Sequence, residues 1–172
     1  MDLTEKITPI DAAVVVLHEL ASDSLVLTQR SHTLRNHPGE ICFPGGRWQV
    51  GDRTLCDTAL RELQEELGIS PARIVLQKAL RTERTLSGYL IHPWFATIEN
   101  LSPYHADRNE VAEVYYLHMS EIIKASNYEK IQISRFGLNF TTYRFVASSH
   151  YVWGATARIM MQLIVEDDSV RP

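Results

Sequence analysis

Two hydrophobic periods organise the chain. Ala12 to Leu17 is an unbroken apolar run, as carried by a strand buried on both faces, and Leu25-Val26-Leu27 reads as its hairpin partner. Residues 30–39 are polar and end on Pro38 and Gly39, which predicts a loop. Ile41-Cys42-Phe43 follows as a short strand stopped by Pro44-Gly45-Gly46. The period then becomes helical. Cys56, Ala59, Leu60, Leu63 and Leu67 fall on one stripe, with the glutamates expected beside it. Thr54-Leu55-Cys56-Asp57 resembles a capping box with Asp in the Glu position, and Gly68 is the expected C-terminal cap before Ser70-Pro71. Further strands are predicted near 73–80, 89–98, 110–117, 129–133 and 139–146, with a short one at 151–153. Short and longer helices are expected at 120–124 and 155–165. Strands dominate and helices flank them. This predicts an α/β fold with a mixed sheet between helical layers. No repeat, low-complexity tract or linker interrupts residues 1–172, so one domain is expected.

Chemistry concentrates in the first helix. Glu62, Glu65 and Glu66 stand at i, i+3 and i+4 and project from neighbouring points of one face, beside Arg61. Like charges at that spacing repel. A hard cation such as Mg²⁺ turns the conflict into a ligand set, because it takes several oxygen ligands. A solvated acidic face is the plainer reading of the charges alone.

Composition narrows the partners. A net charge of −4 leaves no basic footprint for nucleic acid. No apolar run approaches the roughly 20 residues of a membrane span, and Met1 to Lys6 has no apolar signal core. Cys42 and Cys56 give neither a disulfide framework nor metal-ligand spacing. Cytoplasmic residence, with no membrane or nucleic-acid partner, is the expectation.

Gly45-Gly46, followed by Arg61-Glu62-Leu63-x-Glu65-Glu66-x-Gly68-Ile69, resembles the Nudix box G-x5-E-x7-R-E-U-x-E-E-x-G-U, where U is bulky and apolar. The second half matches at every specified position. In the first half the acidic position falls at Asp52, and eight residues rather than seven separate it from Arg61. That insertion is similar to the coenzyme A pyrophosphatase branch of the family. So is the upstream run Val26-Leu27-Thr28-Gln29-Arg30-Ser31, Arg35, Gly39 and Phe43-Pro44-Gly45-Gly46, with Val26 for Leu as its one departure. Ser87-Gly88-Tyr89 and Val152 to Ala157 also look like this branch.

The resemblance implies the Nudix fold, an α/β/α sandwich around a mixed central sheet. It implies an enzyme that uses Mg²⁺ or Mn²⁺ to split the diphosphate of coenzyme A into adenosine 3′,5′-bisphosphate and 4′-phosphopantetheine. By the same resemblance Glu62, Glu66 and Glu65 hold metal, and Arg61 orients the glutamates. One of the glutamates, or a later carboxylate such as Glu110, takes the proton from water. Gly45 and Gly46 let the backbone approach metal or phosphate, with the Gly46 carbonyl in the metal shell. Arg30 and Arg35 are the substrate-recognition candidates, because guanidinium forks suit phosphate. His32 and His37 read as surface, and Tyr151 and Trp153 read as core rather than as ring-stacking residues. A homodimer is a further expectation. The competing readings are a broader hydrolase of ADP-ribose or dinucleotides and an inactive ligand-binding module.

Overall fold

The computed structural model describes residue 8, residues 10–135 and residues 137–164. Met1 to Lys6 and residue 165, the expected end of the last helix, lie outside the described residues, as does Phe136. The central sheet is mixed. Strands β1 (Asp11–Glu19) and β2 (Ser24–Arg30) form the expected hairpin, but they pair only from Leu17 to Glu19 against Ser24 to Val26. Beyond that they part. β3 (Ile41–Cys42) takes the vacated edge of β2, and β4 (Gly45–Arg47) takes that of β1. Between them the Pro44 carbonyl accepts the Val15 N–H at 2.9 Å. Gly45-Gly46 therefore continues the sheet where a simple turn was expected.

Helix α1 (Leu55–Leu67) follows, with the capping box of Thr54 and Asp57 formed and Gly68 left-handed at its end. β5 (Val75–Ala79) and the short, unanticipated β6 (Glu83–Arg84) pair with β7 (Leu90–Ile98). β7 lies parallel to β1 along its whole length, and β8 (Val111–His118) runs antiparallel on the far edge of β2. A short α2 (Met119–Ile122) leads to a second, three-stranded sheet. It comprises β9 (Tyr128–Arg135), β10 (Leu138–Phe145) and β11 (Val152–Trp153), and α3 (Gly154–Met161) closes the order. A second sheet was not foreseen, because local pattern does not reveal which strands share a ladder.

Alternation along the buried strands builds a core on each face. Ala13, Val15 and Leu17 point to one side, where Ala59, Leu63 and Leu67 of α1 cover them. Val16, Leu25 and Leu27 point to the other, against Phe145, Val152, Ile159 and Met160. Burying a side chain such as Leu63 contributes roughly 1.5–3 kcal/mol. That anchors α1 across the point where β1 and β2 diverge. No helix among the described residues is long and apolar enough to cross a membrane.

Candidate active site

The gap between β1 and β2 is filled by β3 and β4, and α1 lies directly over it. A Cβ on Gly45 would stand 2.3 Å from the Ala13 carbonyl oxygen, and one on Gly46 only 2.4 Å from Cδ of Glu62. At Gly45 the neighbouring backbone leaves no room for a Cβ, whereas at Gly46 a Cβ would displace the Glu62 carboxylate. The approach also changes where the glutamates sit. Glu62 and Glu66 are buried within the packed stripe of α1, not beside it as the periodicity predicted. The space a side chain on β4 would fill belongs to their carboxylates. Gly45 N–H donates to Glu66 Oε2 at 3.2 Å.

A third carboxylate arrives from the loop between β7 and β8. Arg73 donates to the carbonyls of Asn100, Leu101, Ser102 and Pro103 at 2.6–3.1 Å. The buried Glu19 carboxylate accepts Leu101 N–H at 2.7 Å. Next, His105 N–H and Asp107 N–H donate to the Leu67 and Glu66 carbonyls, both at 2.9 Å, which would otherwise be orphaned at the end of α1. Glu110 then closes a turn onto Asp107, and its own carbonyl accepts Ser31 N–H at 2.8 Å. One carboxylate oxygen each from Glu62, Glu66 and Glu110 lies within 4.8 Å of the others. Glu65 stands outside this group. It is 52% exposed and accepts from Arg61 Nη1 at 3.0 Å.

Arg61 pairs with Glu62, and Arg30 lies near Glu66. Burial pushes the Glu66 carboxyl up to about 8, with the Glu62 charge adding to it and the Gly45 N–H opposing. Burial also raises Glu62, against the hydrogen bond from Arg61. An all-oxygen set of three converging carboxylates, partly buried, suits a hard divalent ion such as Mg²⁺ or Mn²⁺. The residues present fit that group.

Arg61 uses its whole fork. Nε and Nη2 bind Asp52 at 2.9 and 3.0 Å, Nη1 is shared by Glu62 at 2.9 Å and Glu65, and Nη2 also reaches the Arg47 carbonyl at 3.2 Å. Asp52 further accepts Thr58 Oγ1 at 2.9 Å and Gln49 N–H at 3.1 Å. Its carboxyl is held low, chiefly by Arg61. The inserted residue between Asp52 and Arg61 is thus compatible with a bidentate ion pair.

The two recognition candidates separate. Arg30 ends β2 half-buried, near enough to Glu66 to favour its charged form, and its Nε donates to the Asn36 carbonyl at 3.3 Å. Arg35 is exposed in the loop, with no hydrogen bond or ion pair among the described residues. Cys42 is packed against this site, and burial lifts its thiol to about 12, which leaves it inert. Tyr151 corrects the sequence reading: it is 54% exposed, and Trp153 is only half-buried. The sequence offered Glu110 as one alternative to the box glutamates for accepting the proton, but did not group it with Glu62 and Glu66. A single Glu before a strand carries no periodic signal.

A family model described as the NUDIX domain matches residues 8–135. Curated relatives include two proteins described as "uncharacterized Nudix hydrolase NudL". That of Citrobacter koseri is 34% identical over 161 residues, covering 94% of this chain and 83% of the relative. That of Photorhabdus laumondii is 34% identical over 140 residues, covering 81% and 75%. Among solved structures, a MutT/nudix family protein from Enterococcus faecalis superimposes with a TM-score of 0.58 at 18% identity, over 95% of this chain and 63% of that one. An Ap4A hydrolase from C. elegans does so with a TM-score of 0.55 at 20% identity, over 63% and 80%. At these identities the structural likenesses concern the fold.

Proposed function

This chain belongs to the Nudix family, and from that premise we propose that it hydrolyses the diphosphate of coenzyme A to adenosine 3′,5′-bisphosphate and 4′-phosphopantetheine. Family membership itself makes the protein a pyrophosphohydrolase of nucleoside diphosphate-linked substrates. The observation that carries the reading is the convergence of Glu62, Glu66 and Glu110 over the side-chain-free backbone of Gly45 and Gly46.

Phosphoanhydride hydrolysis needs positioned water and neutralisation of charge growing on the phosphoryl and leaving oxygens. Glu62 and Glu66, buried and facing β4, hold the divalent ion, and Arg61 fixes the Glu62 carboxylate for it. Bound there, Mg²⁺ or Mn²⁺ supplies the positive charge that offsets the growing negative charge. Glu110, half-buried on its loop, is the member of the trio that solvent reaches, and its carboxylate accepts the proton lost by the attacking water. Glu65 serves as a brace for Arg61.

The choice of coenzyme A is supported by Arg30 and Arg35. Coenzyme A carries a 3′-phosphate besides its diphosphate. Arg30, beside Glu66, suits the diphosphate, whose charge is fixed by the reaction centre. Arg35, with its guanidinium unspent, suits the 3′-phosphate. The test is hydrolysis of coenzyme A, dephospho-coenzyme A, ADP-ribose and NADH with Mg²⁺ and with Mn²⁺. A charge-assisted contact contributes roughly 1.5–3 kcal/mol, so coenzyme A should be preferred over dephospho-coenzyme A about ten-fold or more in kcat/KM. Arg35→Ala should narrow that gap, whereas Arg30→Ala should slow both substrates. No preference in the wild type would move the broader nucleoside-diphosphate reading to first place.

A further inference from the structure

On the face of the sheet opposite α1, an open cleft of about 320 Å³ lies between residues 38–41 and the segment 149–153. It shares Ser149, His150 and Tyr151 with a second hollow of about 230 Å³ lined also by Arg144 and Ser148. One wall of the cleft, residues 38–40, ends the same loop that carries Arg35, and Ile41 adjoins Cys42, which packs near Glu66. The cleft thus takes part of its wall from chain next to the acidic centre: Gln29 precedes Arg30 and Ile41 precedes Cys42, and Arg30 and Cys42 both lie near Glu66.

The opposite wall is aromatic and braced. Tyr151 and Trp153 stand with ring centroids 6.1 Å apart, 36° from parallel. The Arg144 guanidinium lies 5.8 Å from the Tyr151 ring and is tied to Glu129. His150 packs against Tyr115 with ring centroids 4.0 Å apart and planes tilted by 39°, and the Tyr115 hydroxyl lies within hydrogen-bond distance of Glu113 Oε2 at 2.9 Å and Gln29 Oε1 at 3.1 Å. Each ring is held by another group before any ligand arrives, so little order is lost on binding. Their polar edges remain unspent. Among the described residues, the Tyr151 hydroxyl, the Trp153 indole N–H and the His150 ring nitrogens have no hydrogen-bond partner.

Flat apolar faces with free donors at their rims suit a planar heterocycle bearing ring nitrogens. The volume, at the low end for small-molecule sites, suits a nucleoside and not a whole dinucleotide. We propose that this cleft seats the purine base of the substrate, with Tyr151 as the principal stacking surface. The proposal rests on the reading of the protein as a nucleotide hydrolase, but not on coenzyme A as the substrate.

The test is calorimetric binding of adenosine 3′,5′-bisphosphate, 4′-phosphopantetheine and Mg²⁺-pyrophosphate to the full chain. Base–aromatic stacking predicts that Tyr151→Ala weakens adenosine 3′,5′-bisphosphate about ten-fold. Tyr151→Phe should stay within about two-fold, and neither substitution should move pyrophosphate. His150→Ala, also on the rim, should cost less than Tyr151→Ala. In turnover, Tyr151→Ala should raise KM and leave kcat nearly unchanged. Tyr151 is exposed, so an unchanged melting temperature is expected and is the check on folding. An equal loss on all three ligands, or no loss on the nucleotide, would overturn the proposal. So would a loss confined to 4′-phosphopantetheine, which would give the cleft to the other arm of the substrate. If the wild type cleaves ADP-ribose and not coenzyme A, the coenzyme A assignment fails. The KM effect of Tyr151→Ala on ADP-ribose then decides the cleft separately.

Discussion

Replacing Glu66 by Gln should make the metal-free protein more stable while removing its activity. Gln keeps the shape of the side chain and an oxygen to accept the Gly45 N–H, so the change removes mainly a charge. The folded-state pKa of Glu66 is raised from 4.5 to about 8, so the folded state favours the protonated form. Its contribution to stability is therefore fully present below about 4.5 and is lost as pH rises through about 8. At 1.36 kcal/mol per unit, the penalty above that range is at most on the order of 4–5 kcal/mol. In urea denaturation with EDTA, the variant should gain about 2–4 kcal/mol over wild type at pH 9, and close to nothing at pH 4.5. Added Mg²⁺ or Mn²⁺ at 1,000 times Kd should reverse the order, because it stabilises wild type by about 4.1 kcal/mol. Turnover of the variant should fall at least ten-fold, about 1.4 kcal/mol of barrier. Parallel stability curves from pH 4.5 to 9 would refute the account of Glu66 as a buried, charge-strained carboxylate.

The two glycines of β4 should fail differently. Gly45→Ala places its Cβ against the Ala13 backbone at a φ of +153° and should lower stability by about 1–3 kcal/mol in urea. Gly46→Ala meets only the end of the Glu62 side chain, so melting should move little while turnover and Mg²⁺ affinity drop about ten-fold or more. For Asp52, the depressed pKa means that its stabilisation is present above the ordinary 3.8 and lost as pH falls through the lowered value. Asp52→Asn should cost about 1–3 kcal/mol at pH 7, with the gap to wild type closing at acid pH.

Legibility in the sequence depended on whether a feature was periodic. The limits of α1 were readable because Thr54, Asp57 and Gly68 are local signals, and strands β1 and β2 because their apolar runs are continuous. The burial of Glu62 and Glu66 was not, since it depends on an absence of side chain on another strand. Glu110 joins the cluster through backbone hydrogen bonds to the end of α1, which no side-chain pattern encodes. The separate sheet of β9, β10 and β11 was hidden for a related reason: a strand's partner is a matter of topology. Tyr151 was read as core from residue type, while its exposure follows from lying just outside the β10–β11 ladder.

Arg73, Glu19 and the end of α1 grip successive stretches of the loop that delivers Glu110, mostly through its backbone. Such a grip is indifferent to most side chains but not to spacing. Substitutions at the exposed Ser102 or Tyr104 leave every one of those hydrogen bonds available. A single inserted or deleted residue between 103 and 110 puts the anchors out of step and carries the carboxylate away from its two partners. Among descendants of this gene, the segment should drift freely in letters while its length stays fixed.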